Sequence, residues 1–470
     1  MENPETTYVS LISKENLVGL TTEDALSHIG RVVDISFDVN KIEGLKLAIK
    51  LSEELQKRSL SPGQLATSHY FLANAWANLK LLLRRGKDRS WDWEQEEAEK
   101  ELIHLRRALN KEGLLELSNE RACEILTNLG NVMNEVGRFV EAIEYWDRAL
   151  FKVPLFPMSR GNRGYGLTHY AQALYDKGHR VIFFKHAYAD LKNALLSSDA
   201  LLYEDARKDF NKYREKIESV LSKKYLDTEL DMRTFDVGTS EQEIEYRQWC
   251  LRNRLFLNPL NDLGPYSVAA QDVLTAPNIV VKAGEGPYYF SYFDQMKQEF
   301  VSARYLYYEG MNEKHPHFSD NKVFLYNTLD YPSYSLSVEK IKSAFRIIYS
   351  LFDKIAYFLN HYLSLSIPER DVTFKTFWYK AQKKKEGLRQ NFQQLRNWPL
   401  RGLFWLSKDL YEARFKEYIE PDAQELSEIR NHLEHKYLKL HEDLWPGHSL
   451  DSDKTIWHDN LALSLYRREF

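Results

Sequence analysis

The sequence predicts an all-α protein: a solenoid of helix pairs, then an irregular connector, then a second helical domain. Three observations carry this. Apolar residues recur three and four apart, as at Leu45, Ala48, Ile49, Leu51 and Leu55, and again at Ile341, Phe345, Ile348, Phe352, Ile355, Leu359 and Tyr362, the spacing of one helix face. A pattern of small and large residues around Gly130 returns 34 residues later at Gly164. Prolines and glycines gather between residues 258 and 287, at Asn258-Pro259, Gly264-Pro265, Ala276-Pro277 and Gly284-Glu285-Gly286-Pro287, where they punctuate the chain rather than extend helices.

Length and composition bound the rest. At 470 residues the chain exceeds what one core normally fills, so two or three domains are expected. With 64 basic against 68 acidic residues, a formal charge of −4, it is not a polycation that coats nucleic acid; any such site must be local. The two cysteines, Cys123 and Cys250, give no disulfide framework and no thiolate metal cluster, which points to a reducing, cytoplasmic location. The first ten residues, MENPETTYVS, carry no secretion signal, and no run of about eighteen apolar residues suggests a membrane span.

In chain order, residues 1–62 read as short helices, the clearest over Ile42 to Lys57, ended by Ser61-Pro62-Gly63. Residues 63–225 carry the repeat. Leu126, Leu129, Gly130, Met133, Gly137, Ala142, Trp146, Ala149 and Pro154 place small residues where two antiparallel helices cross and large ones between them. This spacing resembles a tetratricopeptide repeat. Gln64 to Arg85 with Glu94 to Asn110 forms an upstream pair, and Ala187, Leu191 and Ala194 echo Ala142, Trp146 and Ala149 downstream. Because one repeat cannot bury its apolar face alone, about three are expected, with Tyr203 to Tyr225 as a charged cap helix. Such an array is either a spacer or a groove for a protein partner.

Residues 226–287 read as linker and irregular connector, and 288–470 as the second helical domain. Gly284-Glu285-Gly286 lacks the preceding strand and following lysine of a phosphate loop. His315 and His317 sit in a proline-bearing loop with no third ligand near them, so no metal and no cofactor is expected. Tyr289 to Tyr308 reads as an aromatic-rich helix, and Val338 to Ser364 as the strongest helix of the chain, whose stripe requires a partner. On that helix Asp353 and Asn360 lie seven residues apart and are candidates to support a polar site, or ordinary solvent-facing residues. The basic run Lys380, Lys383, Lys384, Lys385 and Arg389 is either a solvated face or a track for a phosphate backbone. Leu400 to Tyr418 forms a further amphipathic helix.

Pro421 stands where a last helix would start. On it Leu426, Ile429, Leu433, Tyr437 and Leu440 share one sector, the buried side. With Ile429 at zero, Arg430, Glu434, Asn431 and His435 fall at roughly 100°, 140°, 200° and 240°. They form one polar sector away from that side. Arginine offers a fixed fork of donors for phosphate, asparagine donates and accepts, and histidine exchanges protons near neutral pH. Glu434 stands four residues after Arg430 and can hold its guanidinium in place. The combination suits phosphodiester chemistry.

The run Arg430-Asn431-His432-Leu433-Glu434-His435 resembles the motif of HEPN ribonucleases: an arginine, four to six variable residues, then a histidine, often with a polar residue after the arginine. The wider stretch, from Leu255-Phe256-Leu257-Asn258-Pro259-Leu260-Asn261-Asp262 through Asp353 to Asn360 and on to Tyr437, is similar to a prokaryotic HEPN subfamily found behind tetratricopeptide repeats. The resemblance implies a metal-independent endoribonuclease in a toxin or antiviral defence setting, with two HEPN domains dimerising to form a composite site. Arg430, Asn431 and His435 would be its catalytic residues and Glu434, Asp353 and Asn360 its supporting ones. The alternative is a non-catalytic adaptor, in which the helical domain dimerises and the repeats recruit a protein. HEPN domains usually place another helix after the motif, and Leu461 to Phe470 begins a helical pattern.

Overall fold

The computed structural model describes residues 3–86, 91–197, 202–278, 280, 284, 286–313, 315–326, 333–412, 437–441 and 462–466. The chain divides into two compact units. The first comprises Met1–Thr234, Asp262–Val268 and Leu395–Leu406, and the second Phe235–Asn261, Ala269–Gln394 and Ser407–Phe470.

The first unit is a succession of helices. It opens with α1 (Pro4–Ile12), α2 (Thr22–Asp38), α3 (Ile42–Leu55) and α4 (Pro62–Arg84). Thr21 caps α2 by accepting from the Asp24 amide, and Ser61 with Gln64 forms a capping box at α4, each satisfying amides that a helix start leaves open. Leu45, Ala48, Leu51 and Leu55 of α3 are fully buried against Ile29, Val32 and Ala75, the face expected from their spacing. Next come α5 (Glu96–Ala108), α6 (Lys111–Glu116), α7 (Asn119–Val136), α8 (Phe139–Lys152), α9 (Pro157–Ala173), α10 (Lys177–Leu195), α11 (Glu204–Val220) and α12 (Lys223–Asp227). α4 packs on α5, α7 on α8 and α9 on α10.

The crossings fall at the small residues. A Cβ on Gly130 or on Gly166 would overlap the Trp146 indole, so Trp146, 1% exposed, is held between α7 and α9. A Cβ on Gly164 would lie 2.8 Å from Leu191 Cγ and 2.9 Å from the Ala187 carbonyl, which sets the distance between α9 and α10. Gly137 ends α7 in the left-handed region at φ 96°, where glycine carries no penalty. The helix pairs also bury charge. Lys80 reaches Glu101 at 2.8 Å and Glu135 at 2.5 Å, and Arg163 reaches Asp147 at 2.7 Å and Asp190 at 2.5 Å.

The second unit contains α13 (Glu241–Arg252), α15 (Tyr288–Asn312), α16 (Leu336–Tyr362) and α17 (Gln390–Gln393). α14 (Pro259–Leu263) and α18 (Trp398–Tyr411) each run across the division of the chain. Within the expected connector 226–287, α13 and α14 are helical and Ser267–Ala269 is a 3-10 turn, while the rest of 264–278 is irregular. α15 is the partner that the α16 stripe required. They approach closely at Gly310, where a Cβ would lie 2.6 Å from Ile341 Cγ1 and 2.7 Å from the Ser337 carbonyl. The burial on α16 is rotated from the expected stripe. Val338, Ile341, Ala344, Tyr349 and Ala356 are its buried apolar residues, while Tyr362 is 53% exposed. The small residues Ala344 and Ala356 take the closest packing that large side chains could not.

The basic stretch after α16 is not a helix face. Lys380–Gln382 and Lys384–Glu386 are 3-10 turns, and Tyr379 bridges to Leu388. Beneath them Phe374, Phe377, Trp378 and Phe392 are 0% exposed, with Trp378 and Phe392 centroids 5.0 Å apart. Aromatic burial on this scale outweighs the helix propensity of the lysines.

The all-α class holds for the body of the chain, with one addition. β1 (Tyr437–His441) and β2 (Ala462–Tyr466) pair in parallel, Leu438 opposite Leu463 and Leu440 opposite Leu465. Two expectations are corrected here. Tyr437 and Leu440 lie on a strand rather than on the motif helix, and Ala462–Tyr466 is a strand rather than the start of a helix. The reason is local: Tyr-Leu-Lys-Leu-His and Ala-Leu-Ser-Leu-Tyr both place leucine at alternate positions, the period of a strand. No helix among the described residues is long and apolar enough to cross a membrane.

Candidate functional site

Arg430, Asn431, Glu434 and His435 lie outside the described residues, as do all positions from 413 to 436. The chain is described up to Glu412 and again from Tyr437. Both points belong to the second unit.

The two predicted supporting residues on α16 have defined partners. Asp353 accepts from the Phe374 amide at 2.8 Å. Asn360 accepts from the Ile367 amide at 3.1 Å and donates to the Ile367 carbonyl at 2.9 Å. Both tie the chain that leaves α16 back onto the helix, Asn360 by closing the turn and Asp353 by holding the first residue of the aromatic core. Satisfied main-chain groups of this kind fix a path. A further pair links the helices themselves, Lys354 to Glu299.

The approach to the motif is held in the same unit. Tyr349 donates its hydroxyl proton to the Tyr411 hydroxyl at 3.0 Å. Glu412 accepts from Tyr379 at 3.3 Å and pairs with Lys384 at 2.5 Å. Lys384 is therefore engaged by a carboxylate, and as a phosphate contact it would first have to leave Glu412.

A buried charge cluster of this unit escaped sequence reasoning. Arg304, in the middle of aromatic α15, is 6% exposed. Its Nη1 and Nη2 bond both oxygens of Asp272 at 2.8 Å, its Nε donates to the Tyr246 hydroxyl at 2.8 Å, and Nη1 also reaches the Leu255 carbonyl at 2.7 Å. Burial alone would raise the Asp272 carboxyl, but the bonds from Arg304 and from the Leu257 amide outweigh it and hold the group below its ordinary range. Burial pushes the Tyr246 phenol up to about 12. The fork fixes α15, α13 and the irregular connector together. Its one signal in the sequence was an arginine inside the aromatic run Phe300 to Tyr308, and nothing marked Asp272 as its partner.

Among the described residues no group of three or more His, Cys, Asp or Glu side chains is placed to hold a metal. His317 accepts from the Ser319 amide and starts a short 3-10 turn. In the first unit a cleft of about 640 Å3 is lined by Lys185, His186, Asp231, Arg233 and Tyr266 among others. Lys185 there donates to the Leu226 carbonyl at 2.9 Å and so caps α12, while burial lowers the His186 imidazole to about 4 and keeps it neutral.

Comparison with known families assigns the C-terminal part. Residues 280–470 match the family model described as LA2681-like HEPN, and this part of the chain is a HEPN domain. HEPN domains are commonly nucleases, which supports a coarse enzymatic reading of the segment. The match spans α15 to α18, both strands and the whole stretch Arg430 to His435. No curated protein and no solved structure matches the chain.

Proposed function

We propose that the HEPN domain over residues 280–470 is a metal-independent endoribonuclease acting through the R-x4-H motif Arg430 to His435, in an antiviral defence or toxin system. The observation that carries this reading is that the family match includes the one stretch of the chain in which guanidinium, amide, carboxylate and imidazole occur within two turns.

The chemistry follows from those groups. An RNA 2′-OH attacks the adjacent phosphorus as the bond to the 5′ oxygen of the next nucleotide breaks. The products are a 2′,3′-cyclic phosphate and a free 5′-OH. His435 handles a proton of this exchange, and Arg430 stabilises charge on the phosphoryl oxygens. Asn431 orients the scissile phosphate or His435, and Glu434 holds Arg430. Asp353 and Asn360 support the site by fixing the chain that leaves α16. Two copies of the domain pair to form one composite site, and the helix pairs of the first unit serve as the arm that senses a trigger or binds a protein partner. DNA lacks the attacking hydroxyl and survives.

His435→Ala and Arg430→Ala are each expected to lower RNA cleavage by about 10²-fold or more without changing helix content by circular dichroism. Cleavage is expected to persist in excess chelator and to leave cyclic phosphate ends. Undiminished cleavage by the His435 variant would remove the site assignment and leave the adaptor reading, with dimerisation and partner binding as the domain's role.

A further inference from the structure

The segment Leu395–Leu406 belongs by its packing to the first unit, although the residues just before it and just after it belong to the second. It enters the repeat unit as a short linear peptide would, carrying the start of α18. Trp398 lies among the rings of Trp91, Phe139 and His169, with centroids 5.1, 6.1 and 4.6 Å away. Arg401, 1% exposed, donates to the main-chain carbonyl of Glu135 and to that of Asp92 at 3.4 Å. Trp405 Nε1 donates to the Trp93 carbonyl at 3.1 Å, and Trp93 Nε1 returns a bond to the Leu395 carbonyl at 3.3 Å. Gly402 meets Gly137 backbone to backbone: a Cβ on Gly402 would overlap the Gly137 carbonyl, and one on Gly137 would overlap the Trp398 carbonyl.

We propose that this surface is a peptide-recognition seat, filled in cis by Trp398 to Trp405 and open by exchange to a partner of the same chemistry. That partner is a helix start bearing an indole, an arginine three residues on, glycine directly after it, and then an aromatic pair. Each requirement corresponds to a feature of the seat. The ring faces take the indole, the carbonyls at the end of α7 and at Asp92 take the guanidinium, and the bare backbone of Gly137 admits only glycine. This is helix-in-groove recognition with anchors at helical spacing. Exchange is favoured over a permanent core by the buried cation. Arg401 is almost wholly out of water and its guanidinium donates to main-chain carbonyls, so docking carries a desolvation cost that release relieves. A partner that takes the seat frees the start of α18, the helix that precedes Arg430 in the chain. The seat itself stands independently of the ribonuclease reading.

The test uses the full chain and a fluorescein-labelled peptide of residues 395–411. By anisotropy, an Arg401→Ala chain, its own segment weakened, is expected to bind the peptide at least about tenfold tighter than the wild-type chain, because the fraction of open seats rises. A peptide carrying Gly402→Val is expected to bind neither chain. Equal binding by the two chains, or undiminished binding of the Gly402→Val peptide, overturns the proposal. Hydrogen exchange on the wild-type chain decides the matter even where the variant fails to fold. Excess isotope-labelled peptide is expected to speed exchange at amides 400–406 of the chain while residues 135–139 stay protected, and unchanged exchange at saturating peptide overturns the seat.

Discussion

Single residues set the spacing of this structure, and some were legible while others were not. Gly130 and Trp146 stand at repeat spacing in the sequence, and they meet in the structure because only a glycine leaves room for the indole. Asp272 and Arg304 show the opposite case. They are 32 residues apart, one in a turn-rich stretch and one in a helix, so no periodicity connects them. Asp353 and Asn360 were legible as residues to single out, but their bonds run to the main chain beyond α16, which helix spacing alone does not reveal. The Arg304 pair yields a stability prediction. Asp272→Ala strands a buried guanidinium and is expected to cost about 3–5 kcal/mol, measured by denaturant unfolding of the full chain. The folded carboxyl sits below its ordinary value, so its contribution is complete above the ordinary carboxylate range and is lost as pH falls through the depressed value. The difference between wild type and variant is therefore expected to be the same at pH 7 and pH 5.5. A difference that shrinks by half over that interval would contradict the assignment of the shift to Asp272.

At the scale of elements, long amphipathic helices were readable and irregular or short ones were not. Expectation and structure agree within two residues at both ends of α3 and α16, because a stripe of three or four turns outweighs any single residue. The lysines near residue 383 read as a polar helix face. The chain instead folds into turns over Phe374, Phe377, Trp378 and Phe392, whose mutual packing could not be counted until they were brought together. The strand pair was missed because five-residue alternation is short against a helical pattern on either side. The motif stretch was singled out by its residue types and by family resemblance, not by its fold. The α15–α16 pair gives the test at this scale. Gly310→Ala should gain about 1 kcal/mol of helix propensity. A methyl there meets the Ser337 carbonyl, a main-chain atom that cannot rotate away. Overpacking of about 1–3 kcal/mol should outweigh the gain. A lowered melting temperature is expected, with faster hydrogen exchange in both helices, and a raised one would mean that the helices separate without cost.

At the scale of the molecule, the buried imidazoles among the described residues set an expected response to acid. His69, His104, His169 and His186 all lie in the first unit. Burial, the largest cause in each case, lowers His69, His169 and His186 to about 4 and His104 to about 3. The Nδ1 atoms of His69 and His104 stand 3.3 Å apart, a separation that two imidazolium rings would not keep. A base whose folded pKa is depressed costs nothing above about pH 6.5, where neither state is protonated. As pH falls below that value the unfolded chain takes up the proton first, and stability declines until the folded pKa is reached. At pH 5 this amounts to about 2 kcal/mol for each histidine, though His69 and His104 are coupled and do not simply add. The second unit's fork resists over the same range, since the bonds from Arg304 and the Leu257 amide hold the Asp272 carboxyl below its ordinary range. Lowering the pH from 7 to 5 is therefore expected to open the first unit ahead of the second. Hydrogen exchange followed by proteolysis resolves the order: protection in α4, α5 and α9 should fall by an order of magnitude or more beyond the intrinsic pH effect, while α15 keeps its protection. His69→Gln should blunt the decline in α4 and α5 but not in α9. Simultaneous loss in α9 and α15, or an unaltered profile in the His69 variant, would show that acid acts through groups other than these imidazoles.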